Sequence, residues 1–300
     1  MKIPRILLAA GASGSGKTLI TCGLLQALVN RGLKVASFKC GPDYIDPMFH
    51  SRVIGTRSRN LDTFFTDGDR TRYLLAKNAS DCEIAVMEGV MGYYDGVGGI
   101  TSRASAYDLA STTDTPVILI VNSRGMSVSL AAYVKGFLEY KKDSHICGVI
   151  FNQMSPMLYP RMKKLLEEEL SVKVLGYVPK VEDCVIESRH LGLVLPEEIP
   201  ELKSRLQRLS EVLETEMLIQ KDPAFGYRTG EKVRIGVADD EAFCFFYADN
   251  LNLLEQMGAE LVRFSPIHDR ELPKDLDGLL LSGGYPELNG EALEENQEMC

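Results

Sequence analysis

The octapeptide GASGSGKT, Gly11 to Thr18, decides the class of fold. It follows the apolar run Ile6 to Ala10, which predicts a buried strand, and it precedes Leu19 to Asn30, which predicts a helix. A glycine-rich loop between a strand and a helix, ending in Lys-Thr, is the phosphate-loop pattern. An ordinary Gly/Ser turn is the competing interpretation, and the Lys17-Thr18 pair in this context argues against it.

The loop predicts a site for a nucleoside triphosphate, ATP, bound with Mg²⁺. Its glycines let the backbone approach phosphate closely, and the N–H groups at the start of the following helix point towards negative charge. We expect the Lys17 ammonium to reach the β- and γ-phosphates and the Thr18 hydroxyl to bind Mg²⁺. The nucleotide-binding residues predicted in the loop are Gly11, Ser13, Gly14, Ser15, Gly16, Lys17 and Thr18.

The composition narrows the class of protein. The chain has 300 residues, which favours about two domains, and a net charge of −9, which argues against nucleic acid or an anionic membrane as a general partner. Its seven cysteines are scattered without C-x-x-C spacing, so neither a zinc site nor a disulfide framework is indicated. No apolar run approaches the roughly 18–20 residues of a membrane span. We therefore predict a soluble cytoplasmic protein.

Strand-like and helix-like segments alternate along the first half of the chain. Short, almost continuous apolar strands that alternate with helices predict a parallel sheet covered on both faces, with the ligand at the carboxyl ends of the strands. The predicted fold class is therefore α/β, a P-loop doubly wound, mainly parallel sheet. Further strands are predicted over residues 34–39, 84–87, 116–121, 146–151 and 174–177, and further helices over 69–79, 104–111, 129–140 and 159–170.

The second half of the chain predicts a separate, smaller domain. We assign the first domain to residues 1–195 and a linker to 196–230, where a charged helix and a Pro/Gly-containing segment interrupt the pattern. A new strand–helix pattern then occupies residues 231–300. The chain stops inside a predicted helix, so we expect this second α/β domain to be truncated. Its predicted strands cover residues 233–238, 260–264 and 278–281.

A polar loop, KCGPDYIDPMFH, begins at the end of the second predicted strand and runs from Lys39 to His50. At the end of the sheet where phosphates bind, either Asp43 or Asp46 can hold Mg²⁺, directly or through water. Lys39 can neutralise charge on a phosphoryl group or on an acidic substrate. A Pro/Asp turn, with one of the aspartates capping a helix, is the alternative interpretation.

Three further side chains follow or close predicted strands. Glu88 closes an apolar strand where P-loop proteins place a second acidic ligand of Mg²⁺. Asp95, in the flexible loop GVMGYYDG, is a candidate for positioning a substrate, or else a turn residue before glycine. Asn152 follows the strand GVIF and can pair with a base edge of the nucleotide, or else cap the strand.

Several segments resemble, in order and spacing, those of one enzyme family, the cobyrinic acid a,c-diamide synthases. The resemblance covers essentially all 300 residues, and the run GPDYIDPMFH is far more specific than a phosphate loop. Besides GASGSGKT and KCGPDYIDPMFH, the segments are EGVMGYYDG (88–96), VNSRGMS (121–127), GVIFNQM (148–154), ESRHLGLV (187–194) and LSGGYPEL (281–288).

The resemblance implies a dethiobiotin-synthetase-like ATP domain joined to a class I glutamine amidotransferase-like domain. Such ligases amidate the a- and c-side-chain carboxylates of cobyrinic acid, or of its hydrogenobyrinic relative, in cobalamin biosynthesis. They use ATP and glutamine, and the reaction passes through acyl phosphates that ammonia displaces. By resemblance, the catalytic residues are Lys17, Lys39, Asp46 and Asp95, and the Mg²⁺ ligands are Thr18, Glu88 and either Asp43 or Asp46.

Two alternative functions remain open from the sequence. An enzyme that amidates another tetrapyrrole, such as nickel-sirohydrochlorin, would have the same kind of ATP site. A MinD/ParA-like switch ATPase shares the fold, but such proteins carry a Lys after the first glycine of the loop, where this chain has Ala12. The family's amidotransferase domain uses a cysteine in an ECGG-type turn, which this sequence lacks, so we expect use of free ammonia without glutaminase activity. A homodimer is a further expectation.

Overall fold

The computed structural model describes residues 4–180, 188–189, 192–193, 204, 206–207, 209–210, 233–296 and 299. They belong to two compact units, Met1–Ala224 and Phe225–Cys300. Most of the linker predicted over residues 196–230 lies outside the described part of the chain, as do the side chains of the ESRHLGLV segment. The predicted domain boundaries therefore stay predictions.

A seven-stranded parallel sheet forms the centre of the first unit, in the order β3-β2-β4-β1-β5-β6-β7. Strands are added on both sides of β1, as in a doubly wound sheet, so the predicted fold class is confirmed. The strands are β1 (Arg5–Ala10), β2 (Val35–Cys40), β3 (Arg57–Leu61), β4 (Ile84–Glu88), β5 (Val117–Asn122), β6 (Ile146–Asn152) and β7 (Lys173–Val178). A short antiparallel pair follows, β8 (Ser188–Arg189) and β9 (Gly192–Leu193).

The helices predicted between these strands are confirmed, with small shifts at their ends. Local capping starts two of them: the Asp67 carboxylate accepts a hydrogen bond from the N–H of Arg70 at 2.8 Å, and the Ser105 hydroxyl accepts one from the N–H of Asp108 at 3.2 Å. Along the described ranges, no helix combines the length and the apolar character that crossing a membrane requires. The helices are α1 (Lys17–Asn30), α2 (Ile45–Met48), α3 (Gly68–Ala79), α4 (Ala106–Thr113), α5 (Ser129–Glu139) and α6 (Tyr159–Leu170).

The central strands β4, β1 and β5 are buried along almost their whole length. Leu7 and Leu8 point to opposite faces of the sheet, yet both are 0% exposed. Because helices cover both faces, neither set of alternate side chains meets water, and the strands are continuous apolar runs. Polar side chains are left to the strand ends, where the loops begin.

Strand β3 was not among the strands expected from the sequence. Its sequence, RSRNL, has one large apolar residue, Leu61, which is buried. The strand pairs with β2 at the edge of the sheet, where polar side chains meet water. Arg57 is exposed there and donates to the Asp81 carboxylate at 2.7 Å. An edge position removes the apolar pattern by which the other strands are recognised.

The second unit contains a three-stranded parallel sheet, in the order β11-β10-β12. Its strands agree with those expected from the sequence, so the α/β character of this region is confirmed. The elements are β10 (Val233–Ala238), β11 (Ala259–Phe264), β12 (Gly278–Leu280) and the helices Ala248–Gln256 and Gly290–Glu295.

Candidate active site

Neighbouring strands bring three polar loops together at the carboxyl end of the first sheet. Strands β2, β4 and β1 are adjacent, and the chain leaves them at Cys40, Glu88 and Ala10. The parallel register pairs Lys39 with Glu88, and it pairs Glu88 with Leu8 on the other side. Two charged residues that are 49 positions apart in the sequence are therefore side by side near the start of the phosphate loop.

The phosphate loop contains two glycines in the left-handed region. Gly14 has a φ of 73° and Gly16 a φ of 90°, values that residues with a Cβ rarely adopt. A Cβ on Gly16 would also lie 2.3 Å from Nδ2 of Asn152. That amide, at the end of β6, donates to the Ser15 carbonyl at 2.9 Å. Asn152 thus supports the loop backbone, and its pairing with a nucleotide base stays a prediction.

Gly16→Ala is expected to weaken ATP binding by about tenfold or more, because the methyl group must displace the Asn152 amide and the loop with it. Gly32→Ala is the matched control, since Gly32 has a φ of 79° but no atom of the described residues within 4 Å of the added Cβ. The control should lose about 1 kcal/mol of stability through backbone strain and keep its ATP affinity. Equilibrium dialysis with ATP and thermal unfolding measure both effects, and equal ATP affinity in the two variants would contradict the expected role of Gly16.

Lys17 is buried, and its ammonium donates to two backbone carbonyls, that of Ala12 at 3.1 Å and that of Met91 at 2.5 Å. The first bond closes the phosphate loop on itself, and the second joins it to the loop after β4. Burial, and then the nearby Lys39 ammonium, lower the pKa of Lys17 to about 8. Phosphate oxygens in the loop would favour the charged form of Lys17.

ATP affinity is expected to fall as the pH rises above 8. The charged form of Lys17 binds phosphate, and a pKa of about 8 leaves this form dominant at pH 7 and reduced to about a tenth at pH 9. Binding measured in EDTA, which removes Mg²⁺, should therefore weaken about tenfold between pH 7 and pH 9. The Lys17→Arg variant stays charged and should lose this dependence. A flat profile for the unaltered chain would contradict the assignment to Lys17.

Lys39 lies at the centre of a buried charge cluster. Its ammonium contacts the Asp46 carboxylate, and it donates to Oε1 of Glu88 at 2.9 Å and to the Gly89 carbonyl at 3.3 Å. Burial favours the neutral amine, but the carboxylates of Asp46 and Glu88 outweigh burial and raise the pKa of Lys39. Lys39 is therefore a permanent cation at the carboxyl end of β2.

Glu88 is fully buried and accepts hydrogen bonds from several sides. Its Oε1 accepts from Oγ1 of Thr18 at 2.6 Å as well as from Lys39, and its Oε2 lies 3.0 Å from Nε2 of His50. Burial by itself would raise the pKa of Glu88, but Lys39 and then His50 and Thr18 hold it well below its usual range. Glu88 is thus an anion whose oxygen faces the hydroxyl of the phosphate loop.

The two aspartates of the loop after β2 have different partners. Oδ1 of Asp43 accepts from the backbone N–H groups of Ile45 at 3.0 Å and Asp46 at 3.3 Å, so Asp43 caps the short helix α2. Its Oδ2 lies 3.9 Å from the Lys39 ammonium. Asp46 is buried, and burial followed by the Glu88 carboxylate raises its pKa. Asp46 thus shares the Lys39 ammonium with Glu88, and the choice between Asp43 and Asp46 as a Mg²⁺ ligand stays a prediction.

His50 belongs to the cluster and was missed as a site residue from the sequence. It is 0% exposed, its Nε2 faces Glu88, and its Nδ1 has no hydrogen-bond partner among the residues that the structure describes. Its spacing from Asp46 in the sequence could have identified it as a site residue. The two residues are four positions apart in α2 and the π-helix Phe49–Val53 that continues it, so both point towards the sheet end.

Asp95 lies in the loop after β4, at the edge of a cavity of about 730 Å³ that Gly11 also lines. Its carboxylate is exposed and accepts a hydrogen bond from the N–H of Gly92 at 3.0 Å. This bond is the turn contact that the sequence left as the alternative. The same carboxylate nevertheless borders open space beside the first glycine of the phosphate loop.

Four of the predicted site residues are linked by direct contacts. Thr18 contacts Glu88, Glu88 contacts Lys39, and Lys39 contacts Asp46. Lys17 and Asn152 bond to the phosphate-loop backbone, and Asp95 borders the cavity. In the described ranges, no three His, Cys, Asp or Glu residues form a group placed to hold a metal ion. A metal ion at the carboxyl end of this sheet would therefore need the Thr18 hydroxyl and phosphate oxygens as ligands besides carboxylates. The roles of the individual site residues stay predictions.

Two family models match the chain. The first, described as CobQ/CobB/MinD/ParA nucleotide binding domain, matches residues 6–193, and the second, described as CobB/CobQ-like glutamine amidotransferase domain, matches residues 234–300. Among solved structures, the MinD cell division protein of Aquifex aeolicus is 16% identical with a TM-score of 0.42, over 73% of this chain and 100% of that one.

Two curated relatives carry the same name. The cobyrinate a,c-diamide synthase of Thermoplasma volcanium is 43% identical over 301 residues, 96% of this chain and 66% of the relative. That of Clostridium acetobutylicum is 40% identical over 306 residues, 98% of this chain and 69% of the relative. This chain thus spans about two thirds of the length of these relatives. Their shared name does not favour the alternative of a switch ATPase. The chain belongs to the cobyrinate a,c-diamide synthase family.

Proposed function

We propose that the chain catalyses ATP-dependent amidation of the a- and c-side-chain carboxylates of cobyrinate, with glutamine or ammonia as the nitrogen donor. The observation that carries this proposal is the buried cluster of Lys39, Glu88 and Thr18 beside the phosphate loop. A preorganised cation and a hydroxyl–carboxylate pair in this position suit the charge that develops during phosphoryl transfer to a carboxylate. The relatives named for this reaction support the proposal.

The oxygen donors of the cluster fit Mg²⁺. This ion prefers one or two carboxylates together with phosphate oxygens and water. Oγ1 of Thr18 and Oε1 of Glu88 lie 2.6 Å apart, and Asp46 and Glu88 contact the same Lys39 ammonium. When bound, Mg²⁺ supplies charge neutralisation at the β- and γ-phosphates. We propose Thr18, Glu88 and Asp46 as its ligands, directly or through water, and Asp43 stays the alternative.

The residues of the chain account for the activation step. Lys17 binds the phosphates, and Lys39 offsets the negative charge that grows as a substrate carboxylate attacks the γ-phosphorus. The new O–P bond forms as the bond from the γ-phosphorus to the bridging oxygen breaks and ADP leaves. Asp95 borders the space beside the loop and is proposed to position the substrate.

The amide forms in the second step. Ammonia attacks the acyl carbon of the acyl phosphate, the C–O bond to phosphate breaks, and the nitrogen loses a proton. The products are the amide and inorganic phosphate. The match of residues 234–300 to the glutamine amidotransferase family model supports glutamine as the family's source of that ammonia, and free ammonia stays the donor predicted for this chain.

Turnover with defined substrates tests the proposed function. With cobyrinate, MgATP and ammonium, the chain should release ADP and convert cobyrinate to species with the masses of the monoamide and the diamide. Glutamine in place of ammonium tests the nitrogen donor. ADP release without any tetrapyrrole would contradict the proposal and favour a switch ATPase, whereas amidation of nickel-sirohydrochlorin alone would assign another tetrapyrrole. The cytoplasmic location and the homodimer stay predictions.

A further inference from the structure

An open cavity of about 730 Å³ lies in the first unit, next to the phosphate loop. Its volume is within the range of pockets that hold sizeable small molecules. Aromatic and apolar side chains form much of its lining, with a single lysine among them. The lining residues include Tyr94, Ile100, Tyr133, Phe137, Tyr140 and Lys141.

The cavity is continuous with the phosphate loop at its first glycine. A Cβ on Gly11 would lie 1.7 Å from the hydroxyl oxygen of Tyr133 and 2.8 Å from Cζ of Phe137. Rings from α5 therefore touch the loop backbone, and a side chain at position 11 would collide with them. Asp95 lines the same cavity, so a molecule held there has its edge beside a residue proposed to position the substrate.

The aromatic side chains form an organised wall rather than a loose group. The rings of Tyr94 and Phe137 stack with centroids 5.7 Å apart and planes 17° apart, and the Tyr94 hydroxyl donates to the Phe137 carbonyl at 2.7 Å. Tyr140 extends the wall, with its ring centroid 4.9 Å from that of Tyr94, and it is 67% exposed. Ile100 is 91% exposed. Such exposed apolar surface around a cavity is typical of a ligand site.

The rim of the cavity carries a positive charge. The Lys141 ammonium lies 5.3 Å from the ring centroid of Tyr140 and 5.8 Å from that of Tyr107. A broad ring system can pack against the aromatic wall, while a carboxylate on its periphery pairs with this ammonium. An aromatic wall with an ammonium at its rim suits a broad ring system that carries a peripheral carboxylate.

We propose that this cavity binds the macrocycle of a tetrapyrrole carboxylic acid. The ring system packs against Tyr94 and Tyr140, one peripheral carboxylate pairs with Lys141, and another points past Gly11 and Asp95 towards the γ-phosphate. This inference rests on the proposed function, because it takes cobyrinate as the substrate. It adds the surface that recognises the ring, which is separate from the groups that transfer phosphate.

Gly136 offers a test that does not disturb the fold. It lies on α5 and lines the cavity, and in the described part of the chain no atom lies within 4 Å of a Cβ added to it. Gly136→Leu fills the cavity and also replaces glycine with a better helix former. We expect its Kd for cobyrinate to rise about tenfold or more, with an unchanged or higher thermal midpoint. The Kd is measured by equilibrium dialysis of cobyrinate in the presence of a non-hydrolysable ATP analogue and Mg²⁺.

A matched pair of double variants tests the recognition itself. Tyr140→Ala/Lys141→Gln should weaken cobyrinate binding about tenfold. Tyr73→Ala/Lys77→Gln is the control, because Lys77 lies 6.0 Å from the Tyr73 ring and neither residue lines the cavity. The control should bind cobyrinate as the unaltered chain does. All variants should bind the ATP analogue equally well.

The outcomes separate this inference from the proposed function. If the unaltered chain amidates cobyrinate while Gly136→Leu and Tyr140→Ala/Lys141→Gln bind it normally, the cavity assignment is overturned and the function stands. Weakened binding of the ATP analogue, with cobyrinate binding intact, would instead make the cavity part of the nucleotide site and also overturn the inference. Absence of both cobyrinate binding and cobyrinate-dependent ADP release in the unaltered chain would overturn the inference and the proposed function together.

Discussion

Glu88→Gln is expected to lower Mg²⁺-dependent ATP turnover by about a hundredfold or more. The substitution keeps the size of the side chain but removes the buried negative charge that faces the Thr18 hydroxyl and the Lys39 ammonium. An amide is a weaker ligand for Mg²⁺ than a carboxylate, so the Mg²⁺ concentration that gives half-maximal turnover should also rise. ADP release with cobyrinate and ammonium, measured across a Mg²⁺ titration, reports both effects.

Glu83→Gln is the matched control for this experiment. Glu83 immediately precedes the same strand at its opposite end, where its carboxylate accepts a hydrogen bond from the N–H of Lys34 at 2.9 Å. The same chemical change there should leave turnover and its Mg²⁺ dependence unaltered. Circular dichroism of both variants checks that the fold is retained. Turnover of Glu88→Gln equal to that of the control would remove Glu88 from the proposed metal site.

Lys39→Met is expected to destabilise the fold by about 3–5 kcal/mol, a large part of the stability of an ordinary domain. Lys39 is 3% exposed, and its removal leaves the Asp46 and Glu88 carboxylates buried together without their shared cation. Of the two carboxylates, Asp46 then destabilises the fold more when it is charged, because burial and Glu88 already raise its pKa. Urea unfolding measures the loss, and ATP turnover should be lost as well.

The pH dependence and a second substitution identify the cause of that destabilisation. An aspartate whose folded-state pKa lies above its unfolded value destabilises the fold increasingly as the pH rises past the unfolded value. The stability loss of Lys39→Met should therefore be smaller at pH 5.5 than at pH 8. Lys39→Met/Asp46→Asn should recover about half of the loss, since one uncompensated carboxylate is gone.

Lys164→Met provides the control for an ordinary ion pair. The Lys164 ammonium lies 3.8 Å from the Glu168 carboxylate, and the Lys164 side chain is 74% exposed. Surface pairs of this kind contribute about 0–1 kcal/mol, so this variant should unfold almost like the unaltered chain. A Lys39→Met variant as stable as Lys164→Met would contradict the charge cluster described above.

The sequence predicted the scaffold well because the scaffold depends on local patterns. Central strands such as Val117–Asn122 are continuous apolar runs, and the phosphate loop joins its strand and helix through residues adjacent in the chain. Strand Arg57–Leu61 escaped prediction for the opposite reason. Its place at the sheet edge is a property of the whole sheet, and its polar sequence carries no periodic signal.

The site residues were predicted in part. The sequence could not predict which of them contact each other, because those contacts join segments that are far apart in the chain. Lys39, Asp46 and Glu88 were recognised as chemistry-bearing residues, but the choice between Asp43 and Asp46 stayed open because both stand in one short loop. The fold gives them different partners, since Asp43 accepts from backbone N–H groups of a helix turn and Asp46 contacts the Lys39 ammonium, and the choice of the metal ligand stays a proposal. His50 was placed in the same loop but was given no role from the sequence, although it stands one helical turn beyond Asp46.

The sequence by itself therefore determined that GASGSGKT is a phosphate loop at the end of a parallel strand, because that motif is local in the chain. It also determined which acidic and basic residues lie near the carboxyl edge of the sheet. Only the tertiary structure decided how they pair. The register of β2 against β4 brings Lys39 to Glu88, Asn152 reaches the loop from the far side of β5, and α5 places its rings against Gly11. Those contacts join residues from different strands and helices, and their energies exist only once the sheet has formed.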